Sequence, residues 1–166
     1  MGHTMSFPLL NLFGPKGTGK TTMGHQLMAF FAIDNKAPNL RGATPASLGY
    51  ELAYSSNAMI HFDEYKNDEI SPKTIELLKS TYDGVGRTKM GGADFKERGM
   101  SSVKSGFIMT GQEMPTADIA LFHRCVFLMF VRDTFTDRER LMMEQLTEMQ
   151  KYGCTLHVLE ALDQRK

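Results

Sequence analysis

The sequence has 166 residues, which fits one compact domain on a prior of about 100–200 residues per domain. Hydrophobic residues make up 42% and charged residues 23% of the chain, a composition that argues against wholesale disorder. Nineteen basic residues balance nineteen acidic ones, so any binding of phosphate or nucleic acid must come from a local patch. No apolar run approaches the roughly 18 residues of a membrane span, and no membrane partner is expected.

Cysteine usage points to a compartment. Cys125 and Cys154 form no Cys-x-x-Cys pair. This favours a reducing cytoplasm in which both thiols are small core residues. Residues 1–6 carry no pattern and are expected to be a tag or a disordered leader. We expect residues 7–131 to form the core of the domain and residues 132–166 to form a C-terminal helical segment.

Short apolar runs alternate with helical patterns along the chain, which is typical of an α/β fold with a mostly parallel sheet and helices on both faces. Strands are predicted at Phe7–Phe13, Ala58–Phe62, Gly106–Thr110 and Cys125–Val131. Helices are predicted over Lys20–Ile33, after Thr44-Pro45, after Ser71-Pro72, over Thr116–Phe122 and after the Thr136-x-x-Glu139 capping box. The glycine-rich stretch Asp83–Gly99 predicts a hairpin or an extended loop.

The chain contains thirteen methionines, and most of them fall in the apolar stripes of the predicted helices and strands. In the last predicted helix the stripe consists of Met142, Leu146 and Met149. We interpret these side chains as core residues, because a flexible thioether fills irregular gaps well. A methionine-rich docking surface is the alternative.

The strongest motif lies between the first predicted strand and the first predicted helix. It reads Gly14-Pro15-Lys16-Gly17-Thr18-Gly19-Lys20-Thr21, followed by Thr22, and it matches the phosphate-binding P-loop in the right context. The glycines let backbone N–H groups turn inward around phosphate oxygens, and the helix N-terminus adds positive potential. Lys20 is predicted to bridge the β- and γ-phosphates of ATP, and the Thr21 hydroxyl to ligate Mg²⁺. A chance glycine-rich turn is the alternative.

Two acids follow the second predicted strand. The carboxyl ends of neighbouring parallel strands meet at the edge of the sheet where ligands bind. Asp63 is therefore predicted to hold Mg²⁺, directly or through water, and Glu64 to orient and polarise the attacking water. A solvated acidic turn is the alternative. His61, two residues earlier, is interpreted as a core histidine.

Polar side chains also mark the last two predicted strands. Gln112 follows the third strand, where its amide can hydrogen-bond the γ-phosphate and the attacking water, so we predict a phosphate sensor; a simple loop amide is the alternative. Arg124 precedes the fourth strand. A single arginine there usually extends to solvent or pairs with a local carboxylate.

The order of these motifs resembles the AAA+ class of P-loop ATPases, and within it the superfamily III helicase domains in primase-helicases of phages, viruses and mobile elements. The resemblance covers about residues 7–131. It is carried by the P-loop, Ile75-Glu76-Leu77-Leu78-Lys79-Ser80, Tyr82-Asp83-Gly84-x-Gly86-Arg87, Thr110-Gly111-Gln112-Glu113-Met114-Pro115 with Asp118, and Arg124. The sequence departs from that family in two places: the sensor is commonly an asparagine, and no sensor-2 lid is evident after Val131, where Arg138 and Arg140 are possible substitutes.

The resemblance implies a three-layer P-loop NTPase fold and Mg²⁺-dependent ATP hydrolysis by a DNA helicase or translocase in replication. It further implies a homo-oligomeric ring, a hexamer in the full-length protein, that acts on single- or double-stranded DNA. In such a ring Arg124 is expected to reach the γ-phosphate of the neighbouring subunit as an arginine finger, which stabilises developing charge.

The predicted hairpin is locally basic. Residues 86–104 contain five basic residues and two acidic ones, an excess of three positive charges. Such patches attract phosphate backbones without reading the bases. Lys89 and Lys96, near the tip, are the predicted DNA contacts, with a solvated surface loop as the alternative.

Two other functions fit a P-loop. One is a monomeric kinase of a nucleotide or small metabolite, which would need a lid with arginines and an acceptor pocket, neither of which is clear in the sequence. The other is a non-catalytic nucleotide-binding module that regulates a larger protein.

Overall fold

The computed structural model describes residues 8–29, 37–55, 58–90, 98–102, 105–132, 134 and 136–151. In chain order the elements are β1 (Leu9–Phe13), α1 (Lys20–Ala29), α2 (Pro45–Tyr54), β2 (Met59–Tyr65), α3 (Pro72–Tyr82), β3 (Val85–Met90), β4 (Arg98–Ser102), β5 (Gly106–Gly111), α4 (Ile119–Phe122), β6 (Cys125–Met129) and α5 (Asp137–Lys151).

A four-stranded parallel sheet forms the centre of the domain. Its order is β2-β5-β1-β6, and each neighbouring pair is parallel. All four predicted strands are therefore confirmed, with ends that differ by a few residues. Because β1 lies inside the sheet, the loop that follows it opens between the carboxyl ends of its neighbours.

Helices cover both faces of this sheet. Side chains alternate between faces along a strand, and Leu12 and Ile108 pack with Met28 of α1 on one face. On the other face, Phe62 and Phe107 join a larger cluster with leucines of α2, α3 and α4. The predicted three-layer α/β arrangement is confirmed.

The two predicted proline starts are confirmed in detail. The Thr44 side chain accepts a hydrogen bond from Ser47 N, and the Ser71 side chain accepts one from Thr74 N. Proline then occupies the first helical turn, where its missing N–H costs nothing. Helix α1 is described only to Ala29, so the predicted continuation over residues 30–33 lies outside the described residues.

Strand β2 differs from its prediction, because it continues through Asp63 and Glu64 to Tyr65. The predicted strand is confirmed, and it includes the two acids and ends at Tyr65 rather than at Phe62. Backbone pairing explains the continuation: Asp63 N donates to Pro38 O at 3.0 Å, and Leu40 N donates to Asp63 O at 2.9 Å. A segment distant in sequence thus extends the sheet past β2, which no local pattern indicates.

The two strands β3 and β4 form the predicted hairpin, with antiparallel pairing of Lys89 and Gly99. The structure describes the backbone of Lys89 but not its side chain, and Lys96 lies outside the described residues. DNA contact by these two lysines stays a prediction, as does the division of the chain at residue 131.

The apolar stripe of α5 is not buried. Met142, Leu146 and Met149 are 53%, 41% and 42% exposed, so the prediction that they are core residues was wrong. Periodicity identifies the apolar face of a helix but not the surface that covers it. Within the described ranges, no helix is long and apolar enough to cross a membrane.

Candidate nucleotide-binding site

The P-loop connects the end of β1 to the start of α1. Gly14, Gly17 and Gly19 have positive φ values of 142°, 81° and 87°. Residues other than glycine rarely adopt a positive φ. These conformations turn the chain tightly ahead of the first helical residue, Lys20. The loop therefore presents backbone amides and a helix N-terminus to the same space, the arrangement that binds phosphate.

The Lys20 side chain lies within the loop. Its ammonium donates hydrogen bonds to Pro15 O at 2.6 Å and to Thr18 Oγ1 at 3.4 Å. Burial lowers the pKa of Lys20 from its ordinary value, and the charge of Asp63 partly offsets this effect. The ammonium is thus held at the loop by neutral oxygen atoms, which an anionic phosphate can replace as partners.

Asp63 joins three elements of the site. Its Oδ2 accepts a hydrogen bond from Thr21 Oγ1 at 3.1 Å, and its Oδ1 accepts one from Thr110 Oγ1 at 2.5 Å. The backbone N–H of Glu64 also donates to Oδ1, at 2.7 Å. Asp63 therefore has a single defined orientation, with one oxygen directed at the predicted metal-binding hydroxyl of Thr21.

Glu64 lies beside Asp63 in an uncommon backbone conformation, with φ of 60°. Its Oε2 accepts hydrogen bonds from Asn39 Nδ2 at 3.2 Å and from Arg41 Nη1 at 3.3 Å. Arg41 also forms an ion pair with Glu69. The carboxylate of Glu64 thus lies at the cleft and is paired with donors from the segment that follows α1.

These residues line one cleft of about 520 Å³. Its lining comprises Lys16, Gly17, Thr18, Gly19, Lys20, Thr21, Thr22, Arg41, Asp63, Glu64, Tyr65, Lys66, Gly111, Gln112 and Glu113. The predicted sensor Gln112 is exposed at its wall. A volume of this size suits a nucleotide-sized ligand.

The donor set fits Mg²⁺ bound together with a triphosphate. Among the described residues, no group of three or more His, Cys, Asp or Glu side chains is placed to hold a metal ion. Mg²⁺ in nucleotide sites needs no such group, because one or two protein oxygen atoms, phosphates and waters complete its shell. Thr21 and Asp63, already joined by a hydrogen bond, are the two residues whose oxygen atoms would hold it.

His61 is fully buried beneath this site. Its Nε2 lies 2.9 Å from Thr110 Oγ1, and its ring meets the ring of His25 edge-on at 5.2 Å. Burial lowers the pKa of His61 to about 4, with a smaller raising effect from Asp63 and a lowering one from His25. The imidazole is therefore neutral near pH 7.

Arg124 lies far from the cleft of its own chain. Its carbonyl accepts a hydrogen bond from Leu9 N, at the opposite end of β1 from the P-loop, and a strand of five residues spans roughly 15 Å. Its guanidinium donates to Ala120 O at 2.9 Å and to Asp83 Oδ2 at 3.4 Å, and lies 5.5 Å from the centre of the Tyr82 ring. Within one chain, the arginine pairs locally.

Sequence reasoning missed three residues at the site. Asn39 and Arg41 contact Glu64 only because their segment pairs with β2, and Thr110 contacts Asp63 because β5 lies beside β2. The Pro38–Leu40 segment is too short for a hydrophobic period to show. Thr110 could have been identified as a candidate site residue, because its hydroxyl lies at the end of a predicted strand.

No protein-family model matches this sequence, and no curated protein matches it. Among solved structures, the chain is similar to two single-residue mutants of RuvB, an AAA+ P-loop ATPase from Thermotoga maritima. One mutant has a TM-score of 0.60 at 17% identity over 81% of this chain, and the other has 0.58 at 17% over 85%. The chain spans 41% and 43% of the lengths of those structures. The likeness supports an α/β P-loop NTPase fold, and the AAA+ class and its superfamily III subtype stay predictions for this chain.

The lowered pKa of His61 predicts acid sensitivity of the fold. Between pH 6.5 and about pH 4, the histidine is protonated in the unfolded chain but stays neutral in the folded protein. The contribution of His61 to the free energy of unfolding is therefore complete above pH 6.5 and is lost as pH falls towards 4. Between pH 7 and pH 4.5, we expect the free energy of unfolding of the native protein to fall about 2 kcal/mol more than that of His61→Gln. Urea titrations at both pH values measure this difference, and equal losses in the two proteins would contradict it.

Proposed function

We propose that this chain is the ATPase core of an AAA+ motor that binds MgATP in the cleft and hydrolyses it while acting on DNA, in a reducing cytoplasm. The observation that carries this proposal is the hydrogen bond from Thr21 Oγ1 to Asp63 Oδ2. It joins a P-loop helix start to the acidic end of β2, although the two residues are 42 positions apart in sequence. In P-loop NTPases, Mg²⁺ is held by such a pair, a P-loop hydroxyl and a carboxylate from a neighbouring strand.

Binding begins at the P-loop. Its backbone amides and the N-terminus of α1 attract the phosphates, and Lys20 exchanges its bonds to neutral oxygen atoms for bonds to phosphate oxygen atoms. When bound at Thr21 and Asp63, Mg²⁺ neutralises charge on the phosphate oxygen atoms. The rigid network around Asp63 keeps its carboxylate in place, so little reorganisation is needed.

Hydrolysis needs a base that acts on water. Glu64 lies next to Asp63 at the cleft and is the proposed base, while Gln112, from the neighbouring strand end, is the proposed sensor of the γ-phosphate. Asn39 and Arg41 hold the Glu64 carboxylate. Proton abstraction requires Glu64 to lie within one water of the phosphate, so these donors influence its availability.

Ring assembly accounts for Arg124. Because it lies at the far end of β1, it cannot serve the cleft of its own chain and can act only on a nucleotide held by a neighbour. Head-to-tail contacts between identical chains close into rings, and each ring interface would then pair one cleft with one Arg124. The ion pair with Asp83 and the contact with the Tyr82 ring fix the position of the guanidinium. The excess of basic residues in the β3–β4 hairpin supports DNA as the partner.

The nucleotide chemistry is tested by two substitutions. Lys20→Ala is expected to abolish ATP binding, because the loop loses the ammonium that it holds ready for the phosphates. Glu64→Gln is expected to keep ATP binding and lower turnover by about 100-fold or more, since only the proton acceptor is removed. The measurements are calorimetric ATP affinity and steady-state phosphate release.

The matched control is Glu76→Gln, which removes an exposed carboxylate that pairs with Lys79 away from the cleft and leaves both values unchanged. Normal hydrolysis by Glu64→Gln would show that Glu64 is not the base. Stimulation by single-stranded DNA, measured together with the oligomer mass, separates a motor from a monomeric kinase or a regulatory module.

The arginine finger is tested by mixing variants. Arg124→Ala alone is expected to lose ATP turnover by about 10³-fold, and Lys20→Ala alone is inactive. Mixed rings recover activity, because an intact cleft on one subunit meets an intact Arg124 on the next. Mixtures that form rings by mass yet regain no phosphate release would show that Arg124 does not act between subunits.

A further inference from the structure

His61 shares β2 with Asp63, and its side chain lies on the α1 side of the sheet. Its ring lies against Gly24 of α1, where a Cβ would come within 2.6 Å of the His61 ring carbon Cε1. Helix α1 therefore approaches the imidazole so closely that a side chain at position 24 would collide with it. Close packing of this kind restricts the movement of a buried ring.

A chain of hydrogen bonds leads from this ring to the proposed metal ligand. His61 Nε2 lies 2.9 Å from Thr110 Oγ1, and Thr110 Oγ1 lies 2.5 Å from Asp63 Oδ1. Asp63 then receives the Thr21 hydroxyl on its other oxygen. His61, Thr110 and Asp63 come from β2 and β5, so the paired strands hold the chain in register.

The directions of these hydrogen bonds follow from counting protons. The Thr110 hydroxyl has one proton and two acceptors within reach, Asp63 Oδ1 at 2.5 Å and Phe62 O at 3.3 Å. The proton is donated to Asp63, because that contact is much shorter and its acceptor is a carboxylate. The oxygen of Thr110 must then accept from His61, which places the ring proton on Nε2. Nδ1 agrees with this assignment, because among the described residues it has no hydrogen-bond partner, and an unpaired buried acceptor costs less than an unpaired N–H.

We propose that His61 is a positioning residue for Mg²⁺ binding, which orients the Asp63 carboxylate through the hydroxyl of Thr110. This inference rests on the proposed function, because it assigns Asp63 to the metal. The role is that of an outer partner that fixes a ligand it does not contact directly. Such partners set the direction of a ligand's free oxygen and hence the affinity of the site for its metal.

The first test needs no nucleotide. Nitrogen-15 NMR of the ligand-free protein is expected to show His61 as a single neutral tautomer with the proton on Nε2. Thr110→Val, which removes the hydroxyl at nearly constant shape, is expected to shift the Nε2 resonance. A ring protonated on Nδ1, or a His61 spectrum unchanged by Thr110→Val, would overturn the proposed chain.

The second test measures the affinity of a non-hydrolysable ATP analogue with Mg²⁺ and with EDTA. His61→Leu is expected to reduce the Mg²⁺-dependent gain in affinity about 3- to 10-fold and to leave the affinity in EDTA unchanged. His61→Gln is expected to restore the gain, because its amide places a donor near the position of Nε2. The matched control is His25→Leu, which alters the neighbouring ring and keeps the full gain.

A cycle with Thr110→Val shows whether His61 acts through that hydroxyl. The double variant His61→Leu/Thr110→Val is expected to lose no more of the Mg²⁺-dependent gain than Thr110→Val alone. Additive losses, or a full gain in His61→Leu, would overturn the proposal. If His61→Leu does not fold, Gly24→Ala supplies the same comparison, because its methyl group displaces an intact imidazole.

The outcomes separate this inference from the proposed function. A native protein that binds no ATP analogue under either condition would refute the nucleotide site, while the NMR result would still decide whether the hydrogen-bond chain exists. A native protein with a Mg²⁺-dependent gain that His61→Leu leaves intact would refute only the positioning role.

Discussion

The site depends on one constraint, the fixed distance between the P-loop and the acidic end of β2. The P-loop follows β1 and the acids lie at the end of β2, and these two strands are not neighbours, since β5 lies between them. The parallel register of all three strands brings their carboxyl ends to one edge, and the Thr21–Asp63 hydrogen bond spans the gap. A sheet of different order would separate the carboxylate of Asp63 from the lysine and the hydroxyl of the P-loop.

The interior strand β5 therefore shapes the site as well as packing in the core. Gly111 passes so close to β2 that a Cβ there would lie 2.6 Å from Tyr65 O, and this approach follows the point where pairing with β2 shifts register. Thr110, one residue earlier, reaches Asp63 from the same strand. An irregular strand end thus serves the site, because it turns Asp63 and Glu64 out of the regular ladder and towards the cleft.

Much of this arrangement could be predicted from the sequence, because it depends on short local motifs. The P-loop, the two proline helix starts and the apolar strands each depend on a few consecutive residues, and their chemistry is visible at that length. Glu64 and its partners show the limit. The segment containing Asn39 and Arg41 reaches Glu64 by pairing with an edge of β2, across more than twenty positions. Neither hydrophobic periodicity nor composition predicts which segment pairs with the edge of a sheet.

Burial was also less predictable than element type. The α5 stripe has correct helical spacing, yet its apolar side chains are exposed, because spacing contains no information on what lies opposite. His61 shows the reverse: the prediction of a core histidine agrees with its burial, but its neighbours on β5 were needed to connect it with Asp63. The local sequence pattern predicts whether a residue lies in a helix or a strand better than it predicts which residues it contacts.

Electron paramagnetic resonance of Mn²⁺, used in place of Mg²⁺, reports whether one cleft binds a triphosphate on the P-loop and its metal on Asp63. With a non-hydrolysable ATP analogue and the native protein, we expect the spectrum of protein-bound Mn²⁺. Asp63→Asn and Thr21→Val are each expected to lose that signal and to leave Mn²⁺ in solution. Full retention of bound Mn²⁺ by both variants would show that Thr21 and Asp63 do not hold the metal.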